Sequence, residues 1–210
     1  MNFQKYLIYE QDGKKYNLYN LPKGFVIEND IDISGKNLRR LPDLSDVEVR
    51  KSFDCSNNNL TSLKGAPKKV GGAFNCAKNK LTSLEGAPVI VGGMFLCWQN
   101  ELTSLAGGPK QVGGSYFCEN NKLISLEGAP DKINRNFSCS NNLLTSLKGA
   151  PLSVGKIFSC ENNKLESLDG APKRIGLAFF YDKKKFLVKN VWKKIKNKII
   201  NMVFFKNIYN

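Results

Sequence analysis

Phe53-Asp54-Cys55-Ser56-Asn57-Asn58-Asn59-Leu60-Thr61-Ser62-Leu63-Lys64-Gly65-Ala66-Pro67, closed by Val70-Gly71-Gly72, decides the fold because it recurs at a fixed period. Its cysteine returns as Cys76, Cys97, Cys118, Cys139 and Cys160, each 21 residues after the last. Phe53, Phe74, Phe95, Tyr116, Phe137, Phe158 and Phe179 fill a second column, and Asn58, Asn79, Asn100, Asn121, Asn142 and Asn163 a third. Two leucine columns follow, from Leu60 to Leu165 and from Leu63 to Leu168. An unbroken arithmetic series marks a repeat array rather than a framework of paired cysteines. An incomplete copy, Ile31-Asp32-Ile33 to Leu38 and Leu41, precedes it by 22 residues, and Phe179-Phe180-Tyr181 ends it with the aromatic kept and the cysteine replaced.

The period dictates the local structure. A three-residue strand per unit places Phe and Cys, two apart, on the same inward face, and parallel stacking at about 4.8 Å turns each column into a ladder. The Asn column brings a side-chain amide into the core, where its donors and acceptor must find backbone partners. Gly-Ala-Pro then reverses the chain, since Gly accepts φ > 0 and Pro stops a regular element. Twenty-one residues leave no room for a helix on the far side of each turn, so that side is expected to be extended or 3₁₀-like and the whole a curved solenoid.

The pattern Phe-x-Cys-x-x-Asn-x-Leu-x-x-Leu resembles the leucine-rich repeat core, with Phe and Cys where that consensus has two aliphatic strand residues. Its short unit and Leu-Thr-Ser-Leu segment are most similar to the short repeats of secreted bacterial effectors, with Gly-Ala-Pro where those have Pro-x-Leu-Pro. Closely similar LTSLxGAP repeats occur in predicted proteins of tailed phages and large DNA viruses. The resemblance covers roughly residues 31 to 181. It implies a β-rich solenoid with a parallel sheet on its concave face and an irregular or 3₁₀ convex side. The phage likeness further implies a protein that binds and inhibits a host bacterial defence or regulatory protein in the host cytoplasm.

Three regions are expected: an N-terminal cap with a β-hairpin over 1–30, the repeat array over 31–181, and a basic amphipathic helix over 182–210. Tyr6 and Ile8, then Tyr16 and Leu18, alternate around Gln11-Asp12-Gly13, the signature of a hairpin with a primed turn. After Tyr181 the apolar residues Phe186, Leu187, Val191, Trp192, Ile195 and Ile199 fall at helical spacing, as a helix covering the last repeat would require.

Composition narrows the chemistry. The chain has 210 residues and no histidine, which excludes His-based triads, the usual catalytic zinc sites and the standard general base at neutral pH. No run of about 18 uncharged apolar residues exists to span a bilayer, and the opening residues lack the apolar core of a signal peptide. Cysteines on adjacent parallel strands would have Cβ atoms about 4.8 Å apart, beyond the roughly 3.5–4.5 Å of a disulfide, and a straight row cannot form a tetrahedral site. Reduced structural thiols, no metal, no cofactor and a cytoplasmic location are therefore expected. No phosphate-binding glycine loop or carboxylate pair offers a catalytic site, and a non-enzymatic module is expected.

Function in a repeat protein is written where the repeats differ. The positions expected to face outward from the sheet are mostly small or polar, but Met94, Leu96 and Trp98 on one strand lie beside Phe117 on the next. Aromatics and Met in one exposed cluster mark interface centres, and Glu119, Asn75, Gln99 and Glu161 would form a polar rim. A protein partner is the leading expectation, with self-association as a structural or assembly component the second use of the same patch.

Charge is uneven. The chain carries 32 Lys and Arg against 18 Asp and Glu, a net +14. Lys183, Lys184, Lys185, Lys189, Lys193, Lys194, Lys196 and Lys198 lie in the terminal segment, which holds more than half of that excess. They fit the solvated face of a capping helix, a segment on an anionic membrane surface, or an arm that contacts nucleic-acid phosphates without reading sequence.

Overall fold

The computed structural model describes residues 7–182 and shows a parallel β-solenoid of about seven turns. Its first ladder has eight strands, from Ile31–Asp32 through Phe53–Asp54, Phe74–Asn75, Phe95–Leu96, Tyr116–Phe117, Phe137–Ser138 and Ile157–Ser159 to Ala178–Phe180. Register is in phase with the repeat, Phe95 pairing with Phe74 and Tyr116, and Leu96 with Asn75 and Phe117. Each inward aromatic therefore contacts the next: Phe53, Phe74 and Phe95 stack 5.5 and 5.7 Å apart with rings within 7° of parallel. The six thiols are buried beside them.

The Asn column ties the turns together. Asn79 donates from Nδ2 to the carbonyl of Cys76 in its own turn (3.2 Å) and of Cys55 in the preceding one (3.1 Å), and its Oδ1 accepts from Leu60 N–H (3.0 Å). Asn100, Asn121, Asn142 and Asn163 repeat this set one turn on. Between the strand and this amide, Asn57, Lys78, Gln99, Asn120, Asn141 and Asn162 adopt a left-handed conformation with φ of 53–56°. Asn accepts this region most readily of the non-glycine residues; Lys and Gln do so at a cost.

The side of each turn expected to be irregular or 3₁₀-like carries a second ladder as well. Its strands are two residues long: Val26–Ile27, Glu48–Val49, Lys69–Val70, Ile90–Val91 and Gln111–Val112 form one sheet, and Lys132–Ile133, Ser153–Val154 and Arg174–Ile175 another. One buried β-branched residue per strand anchors it, and the glycine after that residue lets turns approach closely. A Cβ on Gly71, Gly92 or Gly113 would collide with the carbonyl oxygen of the preceding turn. Asn134 stands where those glycines stand, and there the ladder divides. Across this break Asn134 donates from Nδ2 to Gly113 O at 3.3 Å, while one turn earlier Gly113 N–H donates to Val91 O through the backbone. The Leu-Thr-Ser-Leu segments are irregular, and no α- or 3₁₀-helix occurs among the described residues.

Strands Ile8–Gln11 and Lys14–Asn17 pair antiparallel around Asp12-Gly13, both at positive φ as a type I′ turn demands. Leu7, Tyr9 and Leu18 join the core, and the Tyr9 hydroxyl accepts from Asn29 N–H at the first turn. The terminal helix expected over 182–210, with Lys183, Lys184, Lys185, Lys189, Lys193, Lys194, Lys196 and Lys198, lies outside the described residues apart from Asp182. No helix among the described residues is long and apolar enough to cross a membrane.

One pair of substitutions in the repeat is physically coupled. Tyr116 replaces Phe in the aromatic column, and eight residues earlier Gly108 replaces the alanine of Gly-Ala-Pro. The Tyr116 hydroxyl fills that space: a Cβ on Gly108 would lie 3.2 Å from Oη and 3.1 Å from Leu84 Cδ1. Oη is buried without a hydrogen-bond partner, and the Cys97 thiol is its electrostatic neighbour. The Tyr116 ring tilts 45° to Phe95 and interrupts the stacked series. Gly108→Ala should destabilise the protein by about 1–2 kcal/mol with Tyr116 present and by much less beside Tyr116→Phe, a coupling readable in a double-mutant cycle by urea unfolding.

Candidate functional site

The apolar cluster read from the repeat differences is formed by strand pairing. Leu96 and Phe117 are direct cross-strand partners, both half-buried; Met94 immediately precedes the strand of Leu96 and is 43% exposed, and Trp98 follows that strand, half-buried. Trp98, Phe117 and Glu119 line an open depression of about 410 Å³ together with Asn120, Ser138, Ser140 and Asn141. Ser138 comes from the next strand, where it pairs with Phe117.

Glu119 is the electrostatic feature of this depression. Burial pushes its carboxyl above the ordinary value, offset in part by its own backbone N–H and the Ser138 hydroxyl, and Oε2 is buried with no hydrogen-bond partner. On the other side of Trp98, the Lys78 ammonium sits 5.1 Å from the ring centroid, in reach of a cation–π contact. Gln99, next to Trp98, is exposed.

The remaining rim residues do not converge on the cluster. Asn75 pairs with Leu96, but its amide is committed: Nδ2 donates to Asp54 Oδ2 at 2.9 Å and Oδ1 accepts from Ala77 N–H at 3.1 Å. Glu161 lies two turns beyond Glu119, where the Ser159 hydroxyl donates to it at 3.4 Å, and it does not line the depression. Ser138 and Ser140 are outward positions of the small, polar kind, whereas Lys78, Asn120 and Asn141 belong to the site although they are not outward positions. Asn120 and Asn141 look like ordinary repeat residues, whereas Lys78 carried a signal: with Gln99 it is one of two departures from Asn in the left-handed column from Asn57 to Asn162, and the two flank Trp98.

The six cysteines form a buried row of free thiols. Cys55, Cys76, Cys118 and Cys139 donate to the carbonyl one strand on at 3.2–3.4 Å, all six are free, and among the described residues no group of three or more His, Cys, Asp or Glu is placed to hold a metal. Burial raises every one of the thiols well above the ordinary 9.0.

Compared with models of known protein families and with curated protein sequences, the chain matches none.

Thiol burial has a measurable pH consequence. Below pH 9 both folded and unfolded chains keep these protons, so their contribution to stability is complete; above it the unfolded chain releases them while the folded chain does not, and stability falls. Each thiol contributes a slope of about 1.4 kcal/mol per pH unit. Unfolding free energy should hold steady to about pH 8 and drop steeply beyond pH 9. A Cys118→Ala variant should lose one proton's worth of that slope; a flat profile across pH 9 would contradict the buried thiol row.

Proposed function

We propose that the protein is a non-enzymatic recognition module that binds a protein partner across the outer face of the eight-stranded ladder, with Trp98 and Phe117 at the centre of the contact. The observation that carries this reading is the cluster of apolar residues on that face, Met94, Leu96, Trp98 and Phe117, on and beside two adjacent strands and next to an open depression, whereas the other outward apolar residues, Ile157 and Phe180, pair with Ala178 and Ser159. Half-buried aromatics next to polar pockets are where binding energy concentrates in protein interfaces. The left-handed backbone at Lys78 and Gln99 supports it. A lysine and a glutamine held where four other turns place asparagine cost stability, and such cost is typical of functional positions.

The partner's identity rests on the resemblance alone. The likeness to phage repeats favours a host protein, such as a defence or regulatory factor that the solenoid occludes. A second copy of this chain is the other occupant the same patch would accept, and binding of nucleic acid or an anionic membrane through the lysines after Asp182 is the alternative that the terminal charge favours.

The test is capture from host lysate by the wild-type chain and by a Trp98→Ala/Phe117→Ala variant, in low salt and in about 0.5 M salt, with light scattering on the purified protein alone. The wild type should retain one partner in high salt, and the double variant should lose it by 100-fold or more while unfolding normally, the sum expected for two interface anchors at about 2 kcal/mol each. Retention of the partner by the folded double variant would overturn the proposal.

A further inference from the structure

The described surface segregates its charge by face. Outward positions of the eight-stranded ladder from Ser52 to Asp182 carry Asp54, Glu119, Glu161 and Asp182 and no lysine or arginine, although Lys78 reaches over this face to the Trp98 ring. The Leu-Thr-Ser-Leu side is balanced, with Lys64, Lys148 and Lys164 offset by Glu85, Glu127 and Glu166 and with Lys122 paired to Glu101 at 3.0 Å. The second ladder and its approach carry Lys68, Lys69, Lys110, Lys132, Lys173 and Arg174, all exposed, against Glu48 and Asp131. Lys69 is bridged to Glu48 at 3.0 Å; the other five make no ion pair among the described residues.

The same face exposes aliphatic residues between those cations: Val89 (50%), Ile90 (37%), Leu152 (52%) and Leu177 (58%). Neighbouring strands are about 4.8 Å apart, so the cations and aliphatics interleave along one strip. No aromatic side chain stands in any of these strand segments. Single-stranded nucleic acid takes aromatic platforms for its bases, and duplex phosphates have no use for exposed Val, Ile and Leu. Cationic heads around short aliphatic side chains suit an anionic bilayer, which attracts the charges and accepts the apolar atoms at the headgroup boundary.

We propose that the outer face of the second ladder docks on an anionic lipid surface, leaving the Trp98–Phe117 face of the first ladder free for its own partner. The lysines hold the face at the headgroups, and Val89, Ile90, Leu152 and Leu177 enter the boundary. The nine lysines of 183–210, which no acidic residue accompanies, add attraction of the same sign.

Cosedimentation of the full chain with phosphatidylcholine vesicles, with and without about 30% phosphatidylserine, tests this. The wild type should bind only the anionic vesicles. Reversal at Lys68→Glu, Lys132→Glu and Lys173→Glu together should weaken binding by about 100-fold, whereas the same charge change at Lys64→Glu, Lys148→Glu and Lys164→Glu should weaken it far less. Val89→Ser with Ile90→Ser should cost about tenfold with every charge kept. Equal effects of the two triple reversals would show a response to net charge alone and overturn the proposal. So would an unchanged affinity on reversing the face, or a chain that binds duplex DNA and no vesicle.

Discussion

The hydrogen bonds of the buried asparagine amides are the constraint on which the rest of the solenoid depends. Each turn leaves the strand through a left-handed residue, so the backbone carbonyls at Cys and the amide at the first Leu cannot pair in a regular ladder there. Asn58, Asn79, Asn100, Asn121, Asn142 and Asn163 satisfy them from inside, bridging consecutive turns. Each such bond contributes about 1 kcal/mol net, but an unsatisfied buried group costs more, so the amide is needed wherever the chain turns this way. The thiol and aromatic rows follow from it, because it fixes the register that places Phe on Phe and Cys on Cys.

Close approach is the second constraint, and it explains what varies. Gly71, Gly92 and Gly113 lie against the preceding turn where the second ladder is continuous, Arg50 stands at the same position one turn earlier with the ladder still paired, and at Asn134 the ladder divides and a side-chain amide reaches Gly113 O. Where the aromatic gains a hydroxyl at Tyr116, alanine becomes Gly108. Deviations from the repeat thus come in two kinds: those compensated inside the core, and those on the surface that nothing inside requires. Met94, Leu96, Trp98 and Phe117 are of the second kind, and so are Val89 and Ile90 on the same turn.

Much of this was legible from the residues. Strand positions, the inward Phe and Cys, the buried Asn and the hairpin at Asp12-Gly13 follow from period and chemistry. The second ladder was not, because a two-residue strand around one valine leaves no alternation to read, and Lys69-Val70-Gly71-Gly72 scans as a turn. The outward set contained the apolar cluster but overextended its rim: Glu161 is two turns too far, and the commitment of Asn75 to Asp54 depends on cross-strand register. Lys78 was missed because a lysine on a surface turn looks ordinary until its φ of 55° is known. The charge segregation also needed the fold, since neighbouring residues in sequence, such as Lys64 and Lys68, belong to different faces.

Hydrogen exchange in the native protein tests the asparagine account most directly. The amides of Leu60, Leu81, Leu102, Leu123 and Leu144 have no backbone acceptor in the ladders and are bonded only to Asn Oδ1 of the next turn. If those bonds hold the turns together, these five amides should exchange as slowly as the strand amides of Phe74 and Phe95, through global unfolding alone. Exchange at the rate of the exposed amides of Thr61, Ser62, Thr82 and Ser83, with the strands still protected, would show that the amide row merely fills space and would contradict the account.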